Sequence, residues 1–384
     1  MAPSLEQALL PEGLQDTLPP DAQREAAVAR SLLDSFASYG YERVSPPLIE
    51  FEENFVGGAI KQKSPAMVRA VDPISQRMLA IRSDFTPQVA RIATTRLQAE
   101  ARPLRLCYSG PVVRARGSQL RPEREFTQVG CELFGSASVA AEMEIILLAA
   151  GALKGVGVTG LTIDLVTPTL VPAICDSLGV APEEAAMARE ALQAKDAGAL
   201  KGMGGPAAGV LRRLLDVAGP AGEAIGHLAR LELPAAAQGI ANDLAELVGQ
   251  LTDRLDDVVL TVDPGEYLSF EYHSGIAFSV FARKVRGELG RGGRYTATAG
   301  AEWSEDAVGF TAFLDTVMRA APAAGAEKRA YLPRNEDRSA AARLRGEGWR
   351  VIEALEPEDD PDTGARKHGC SYVIRHGAIH DLSK

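Results

Sequence analysis

No apolar run in the chain approaches the roughly 18 residues that a membrane-spanning helix needs, so no segment reads as transmembrane. The opening residues, MAPSLEQALLPEGLQDTLP, lack both a basic stretch and a continuous apolar core ahead of a small-residue cleavage site. They do not read as a secretory signal, and the expected location is the cytoplasm. Cysteine is scarce: Cys107, Cys131, Cys175 and Cys370 stand apart with no CxxC pair, which argues against a zinc site and a disulfide framework. Cys107 and Cys131 are expected as buried strand residues. Positive charge is also short, with 41 Lys and Arg against 51 Asp and Glu. A net charge of −10 is poor material for a broad nucleic-acid surface, which rests on phosphate neutralisation, although a local basic patch stays open. There is no repeat of fixed period, and GELGRGGRY lacks the GK[ST] ending of a phosphate loop; it reads as a hairpin turn.

What is present is ordinary globular material, 384 residues with 46% hydrophobic and 24% charged, enough for two or three domains. The stretch that organises it is Leu104–Gly135, two strands joined by a basic loop. The two-residue strand period puts Phe126, Gln128, Gly130, Glu132 and Phe134 on one face, with Glu125, Thr127, Val129, Cys131 and Leu133 on the other. Gln128 and Glu132 thus flank a glycine that leaves room above the backbone. An amide and a carboxylate so placed suit a ligand amino group, and Arg114 offers parallel donors to a carboxylate. Two readings stand: an amino-acid site, or a half-solvated sheet face. Arg121, in the loop, is expected to be exposed.

Elsewhere, Asp21 is a good N-cap for a helix running through Leu32, Leu33 and Phe36 to Gly40. YERVSPPLIEF reads as a short strand broken at Pro46 and Pro47, suited to an edge or a subunit interface. A loop holding Gly57, Gly58, Lys61 and Lys63 follows, then strands near 66–72 and 77–82. Thr86, with Pro87 behind it, is a candidate N-cap for the next helix. Asp84 and Thr86 therefore either hold a ligand ammonium or satisfy first-turn amides. Ser136 or Ser138 opens a further helix over the back of the sheet, and LTIDLVTP is a strand. Residues 172–251 form an Ala-, Leu- and Glu-rich helical insertion. Strands return from Val258, with Tyr272 and His273 beside Ser274 and Gly275, and AVGFTAFLDTVM passes from strand to helix. A linker over 321–329 leads to a small α/β module over 330–384, whose acidic EPEDD stretch reads as a solvated loop.

Taken together, LPEGLQDTLP, IRSDFTPQVARIATTRL, LRLCYSGPVVR, REFTQVGCELFG, YHSGIAFSVF and GGRY closely resemble the histidyl-tRNA synthetase family of class II aminoacyl-tRNA synthetases, over about residues 8–320. The resemblance is closer still to that family's non-catalytic relatives, the regulatory subunits of ATP phosphoribosyltransferase. It implies an α+β fold: a class II synthetase-like antiparallel sheet flanked by helices, in a core over 1–320. Its L-histidine pocket falls on Asp84, Phe85, Thr86, Arg114, Gln128, Glu132, Tyr272 and His273. Glu132 and Asp84 with Thr86 would face the amino or imidazole groups, Arg114 the carboxylate and Tyr272 the ring.

The departures bear on activity. The family's Arg-x-Glu in the second class motif is here Arg114–Ala115–Arg116, a cation where ATP positioning uses a carboxylate. A histidine-specific arginine aligns with Leu268, and the adenine-stacking arginine of the third motif with Thr316. Losing one preorganised contact to a developing charge costs about 3 to 4 kcal/mol, so losing three is expected to abolish aminoacylation. The module after the linker is also shorter than the family's anticodon-binding domain, and no tRNA binding is expected. The resemblance thus implies a non-catalytic chain that dimerises through its first-motif region. Its partner would be the short-form ATP phosphoribosyltransferase catalytic subunit, in a hetero-oligomer, expected as a hetero-octamer, serving the first step of histidine biosynthesis. No cofactor is expected in this chain; Mg²⁺ belongs with the catalytic partner. The alternatives are a histidyl-tRNA synthetase, active or degenerate, and a free-standing histidine sensor.

Overall fold

A computed structural model of the chain describes residues 9–56, 60, 67–118, 121–267, 272–299, 303–323, 328–357 and 360–382. Contacts divide the chain into two units, Met1–Pro322 and Ala323–Lys384. In the first unit the strands are β1 (Glu42–Arg43), β2 (Ile49–Phe51), β3 (Arg69–Val71), β4 (Met78–Ile81), β5 (Leu104–Val113), β6 (Glu125–Phe134), β7 (Leu161–Val166), β8 (Gly219–Pro220), β9 (Val259–Asp263), β10 (His273–Ala282), β11 (Gly290–Ala299) and β12 (Trp303–Phe313). Its helices are α1 (Asp21–Ser38), α2 (Glu53–Val56), α3 (Thr86–Thr95), α4 (Val139–Gly155), α5 (Leu170–Ser177), α6 (Pro182–Gln193), α7 (Ala197–Lys201), α8 (Gly205–Leu214), α9 (Ala221–Leu228), α10 (Ala235–Thr252) and α11 (Leu314–Ala320).

Nine strands make one sheet in the order β1-β5-β6-β12-β11-β10-β7-β9-β8, while β2, β4 and β3 form a separate small antiparallel sheet. From β5 across to β7 the large sheet is antiparallel. Towards its ends β1 runs parallel to β5 and β9 parallel to β7, while the edge strand β8 pairs antiparallel with β9. The second pairing has a direct cause. A parallel return needs a long crossover, and α5 to α10 supply it between β7 and β9.

The strand period on β6 sorts its residues as their polarity demands. Val129, Cys131 and Leu133 enter the main core beneath α1 and α4, with Leu32, Phe36, Ile145, Ile146 and Ala149. Phe126 and Phe134 face the opposite side and join Phe85, Val89, Ala90 and Ala93 of the α3 region in a second core. The α4 helix starts where its cap allows, Ser138 Oγ accepting from the Ala141 amide at 3.3 Å. Cys107 and Cys131 are buried and face each other across β5 and β6 as free thiols.

Several local expectations shift. The first helix begins at Asp21 itself, with Pro20 at the cap and no side-chain cap bond; Asp21 instead puts a negative charge in the first turn, where the helix dipole favours it. Pro46 and Pro47 divide the expected single strand into β1 and β2, which belong to different sheets. GRGGRY lies in β11, not in a turn; the β10–β11 connection is at 283–289. Gly57, Gly58, Lys61 and Lys63 lie outside the described residues, as do Leu268 and parts of the linker and of the EPEDD stretch.

The second unit is an α/β module of β13 (Arg329–Leu332), α12 (Arg338–Gly346), β14 (Arg350–Glu353), α13 (Pro361–Lys367), β15 (Tyr372–Arg375) and β16 (Ala378–Asp381), with sheet order β14-β13-β15-β16. Asp337 and Asp360 cap its two helices. The last strand is an addition to the sequence reading. His376 (φ 50°) and Gly377 (φ 74°) both take the left-handed region that a two-residue hairpin turn requires.

Candidate functional site

Glu132 sits at the centre of the large sheet and is 1% exposed. Among the described residues no cation pairs with it; hydroxyls do. Thr86 Oγ1 donates to Oε1 at 3.0 Å and Tyr108 Oη at 3.2 Å, while Tyr295 Oη donates to Oε2 at 2.9 Å. Behind Tyr108, Thr311 lies 2.6 Å away and completes the chain. Burial pushes the Glu132 carboxyl up to about 8, against the opposing pull of the three donors. Across the strands, Gly309 of β12 pairs with Glu132. A Cβ at Gly309 would stand 1.7 Å from Glu132 Oε2, so only glycine lets the carboxylate lie there.

Thr86 is the first residue of α3 but not its cap, since no side-chain cap bond closes that end. Its hydroxyl is spent on Glu132. The Phe85 amide donates to Gln128 Oε1 at 3.2 Å, which ties the start of α3 to β6. The α3 helix therefore covers the polar face of β6, and the half-solvated reading of that face fails: Gln128 is 2% exposed. The room expected above Gly130 is not open either. A Cβ there would meet the Tyr108 hydroxyl at 2.4 Å, so the glycine admits Tyr108 rather than a ligand.

A cavity of about 110 Å³ opens beside Glu132, lined by Asp84, Thr86, Arg114, Gln128, Tyr272 and His273 among others. These six and Glu132 are seven of the eight residues expected from sequence. The eighth, Phe85, is not part of the lining; it is 2% exposed and stacks on Tyr108 with ring centroids 4.7 Å apart. Tyr272 and His273 stack at 4.2 Å, and Tyr295 meets Tyr272 edge-on at 6.0 Å, so an aromatic wall faces the carboxylates. Residues missed in the sequence reading are Arg291, Tyr295, Thr311 and Gly309. Arg291, Gly293 and Tyr295 alternate along β11, a strand signal hidden by taking GRGGRY for a turn. Two carboxylates, Asp84 and Glu132, and two guanidiniums, Arg114 and Arg291, thus share one small cavity. Burial and the nearby Arg121 guanidinium hold Arg114 below its usual value, while Asp84 opposes them.

A second chamber of about 350 Å³ adjoins the first through Arg114 and Arg291. Arg121 lines it and is not exposed as expected: it is 7% exposed, lies 4.7 Å over Phe126 and 4.2 Å over Phe313, and pairs with Asp315 at 3.0 Å. Thr316, fully buried on α11, accepts from Arg121 at 3.3 Å. Arg124 is likewise turned inward, onto the carbonyls of Arg114 and Glu12. Arg116 stays exposed.

Comparison with known proteins places this geometry in a family. The histidyl-tRNA synthetase family profile matches residues 13–317. An ATP phosphoribosyltransferase regulatory subunit of Rhodospirillum centenum is 46% identical over all of this chain and 98% of its own length. One from Paramagnetospirillum magneticum is 46% identical with both chains covered in full. Among solved structures, a Bacillus halodurans protein described as an ATP phosphoribosyltransferase regulatory subunit/histidyl-tRNA synthetase superposes with a TM-score of 0.79 at 24% identity, covering 95% of this chain and 97% of that one. Histidyl-tRNA synthetase of Nostoc sp. PCC 7120 gives 0.80 at 16% identity over 98% and 95% of the two chains, a likeness of fold. On this fold, and at this identity over its whole length, the chain belongs to the histidyl-tRNA synthetase family, within its group of ATP phosphoribosyltransferase regulatory subunits.

Proposed function

We propose that this chain is the non-catalytic regulatory subunit of an ATP phosphoribosyltransferase, and that its cavity takes free L-histidine as the reporter of end-product level. The observation that carries the ligand is the charge pattern. Asp84 and Glu132 suit an ammonium or imidazolium, Arg114 a carboxylate, with Arg291 beside it already paired with Glu288, and the Tyr272–His273 wall a flat ring. ATP chemistry is disfavoured by the neighbouring chamber, where Arg121 occupies the faces of Phe126 and Phe313, and by Arg116 in place of the family's carboxylate. The transfer reaction, with ATP, phosphoribosyl pyrophosphate and Mg²⁺, belongs on this reading to the short catalytic subunit. Histidine acts through unequal affinity for two states of the assembly, typically a coupling of about 1 to 3 kcal/mol.

Self-association has its own support. Val71 and Met78, register partners in the small sheet, and Ile74 in the turn between them are 55%, 42% and 92% exposed. That is an apolar patch which a second copy would cover. The test of the assignment is turnover. Purified catalytic subunit is expected to gain activity when this chain is added, and the complex to respond to histidine. Identical turnover with and without the chain overturns the activating role, and histidine-dependent ATP–pyrophosphate exchange by the chain alone would make it a synthetase.

A further inference from the structure

Asp315, which holds Arg121, also lines a larger cleft of about 820 Å³ bounded by the Gln15–Glu25 stretch, β6 and α11. Six carboxylates line it, those of Asp16, Asp21, Glu25, Glu123, Glu125 and Asp315, against the guanidiniums of Arg24 and Arg319. Arg24 is committed elsewhere, donating to the carbonyls of Met318 at 2.7 Å and Ala321 at 2.5 Å. Arg319 reaches Glu123 and Asp315 only at 3.9 Å. The Asp315 side chain is 9% exposed, and its Oδ1 has no hydrogen-bond partner among the described residues; the same holds for Glu123 Oε2. A buried carboxylate oxygen without a donor is costly, so these two oxygens mark where a donor is missing. It is not a metal: among the described residues no three acidic, His or Cys groups converge closely enough to hold one.

The remaining walls fit a long cationic side chain. Pro19, Pro111, Phe126 and Met318 offer apolar surface to an aliphatic stem whose charged head reaches the carboxylates. The wider field agrees. Residues 323–384 carry eleven Lys and Arg and eleven Asp and Glu, so the whole excess of ten acidic charges lies in residues 1–322, which contain the cleft. We infer that this cleft is the docking site for a Lys- or Arg-bearing segment of the catalytic subunit, with a cation seated against Asp315 and Glu123. Since Asp315 also holds Arg121, seating that cation would bear on the chamber beside the histidine cavity. The inference rests on the regulatory-subunit assignment.

The experiment measures association of separately purified catalytic subunit with the immobilised full-length chain at 50 and 500 mM NaCl, concentrations chosen to bracket strong and weak screening. Glu123→Gln combined with Glu125→Lys is expected to slow association about tenfold at low salt, the difference closing at high salt. Asp16→Lys with Asp21→Lys, both at exposed positions, should act the same way. Histidine affinity should stay at its wild-type value, because none of these residues lines the histidine cavity, while Asp21→Lys lowers the melting temperature slightly by reversing a charge at the start of α1. If the wild type binds and both variants associate as fast as it does at low salt, the docking site is wrong while the assignment stands. If the wild type itself fails to bind, the assignment falls and the docking site with it.

Discussion

A carboxylate held among the described residues by three hydroxyls, at 1% exposure, is poised to lose or keep a proton according to what enters beside it. Burial raises the Glu132 value from 4.5 to about 8. The folded state then binds the proton more tightly than the unfolded chain. The group therefore contributes stability that is full below pH 4.5 and is lost as pH rises toward 8. A ligand cation reverses the preference, since an opposite charge within reach favours the ionised form. Histidine binding near pH 7 is therefore expected to release a proton. Calorimetry in two buffers of different ionisation enthalpy reads this directly, and Glu132→Gln should abolish the release while weakening binding at least about tenfold, or 1.4 kcal/mol. Equal heats in both buffers for the wild type would overturn the net proton release and the neutral Glu132 facing a ligand ammonium that it rests on. Arg114→Ala should weaken binding by a comparable factor with no change in proton release, because its proposed partner is the ligand carboxylate.

At the level of elements, the cavity is a product of β-sheet register. Glu132 of β6 faces Gly309 of β12, and Tyr295 of β11 reaches the same carboxylate. Gly309→Ala would place a methyl group where Glu132 Oε2 lies. The expected result is loss of histidine binding, with the far-ultraviolet circular dichroism of the sheet retained; wild-type affinity in this variant would place the ligand elsewhere. The sequence made β6 legible because a strict two-residue period separates Gln128 and Glu132 from Val129, Cys131 and Leu133, and burial on both faces enforces it. Four features were not legible. Tyr108 fills the space over Gly130, which is a tertiary contact between neighbouring strands. Thr86 looked like a cap, and local sequence cannot show that a hydroxyl is drawn to a carboxylate 46 residues away. Arg121 looked like a solvated loop cation because its partners, Phe313 and Asp315, come from the far end of the unit. The glycines of β11 read as a turn because glycine marks turns and close strand approach alike.

At the scale of the whole molecule, α3 joins the cavity to the small sheet. Its first residue is Thr86, and two residues further along it reach back to β2: Gln88 Nε2 donates to Glu50 Oε1 at 2.8 Å and Arg91 Nε to Glu50 Oε2 at 2.9 Å. Arg82, just past β4, adds bonds to the carbonyls of Pro46 at 3.2 Å and Pro111 at 2.7 Å. The small sheet carries the exposed apolar patch on which a second copy is proposed to dock, so association there would restrain the helix that begins at Thr86, just after Asp84. Val71→Glu with Ile74→Glu tests this without touching any cavity residue. Both side chains are more than half exposed, at 55% and 92%, so the folded monomer should tolerate the change. Light scattering is expected to move from dimer to monomer. Melting temperature, which mass action makes concentration-dependent for a dimer, should become independent of concentration. Because α3 is shared, histidine affinity should fall in the same variant by a few-fold rather than vanish. A dimer that persists in this variant, with its melting still dependent on concentration, would place the self-association surface elsewhere and remove the link from that surface to the cavity.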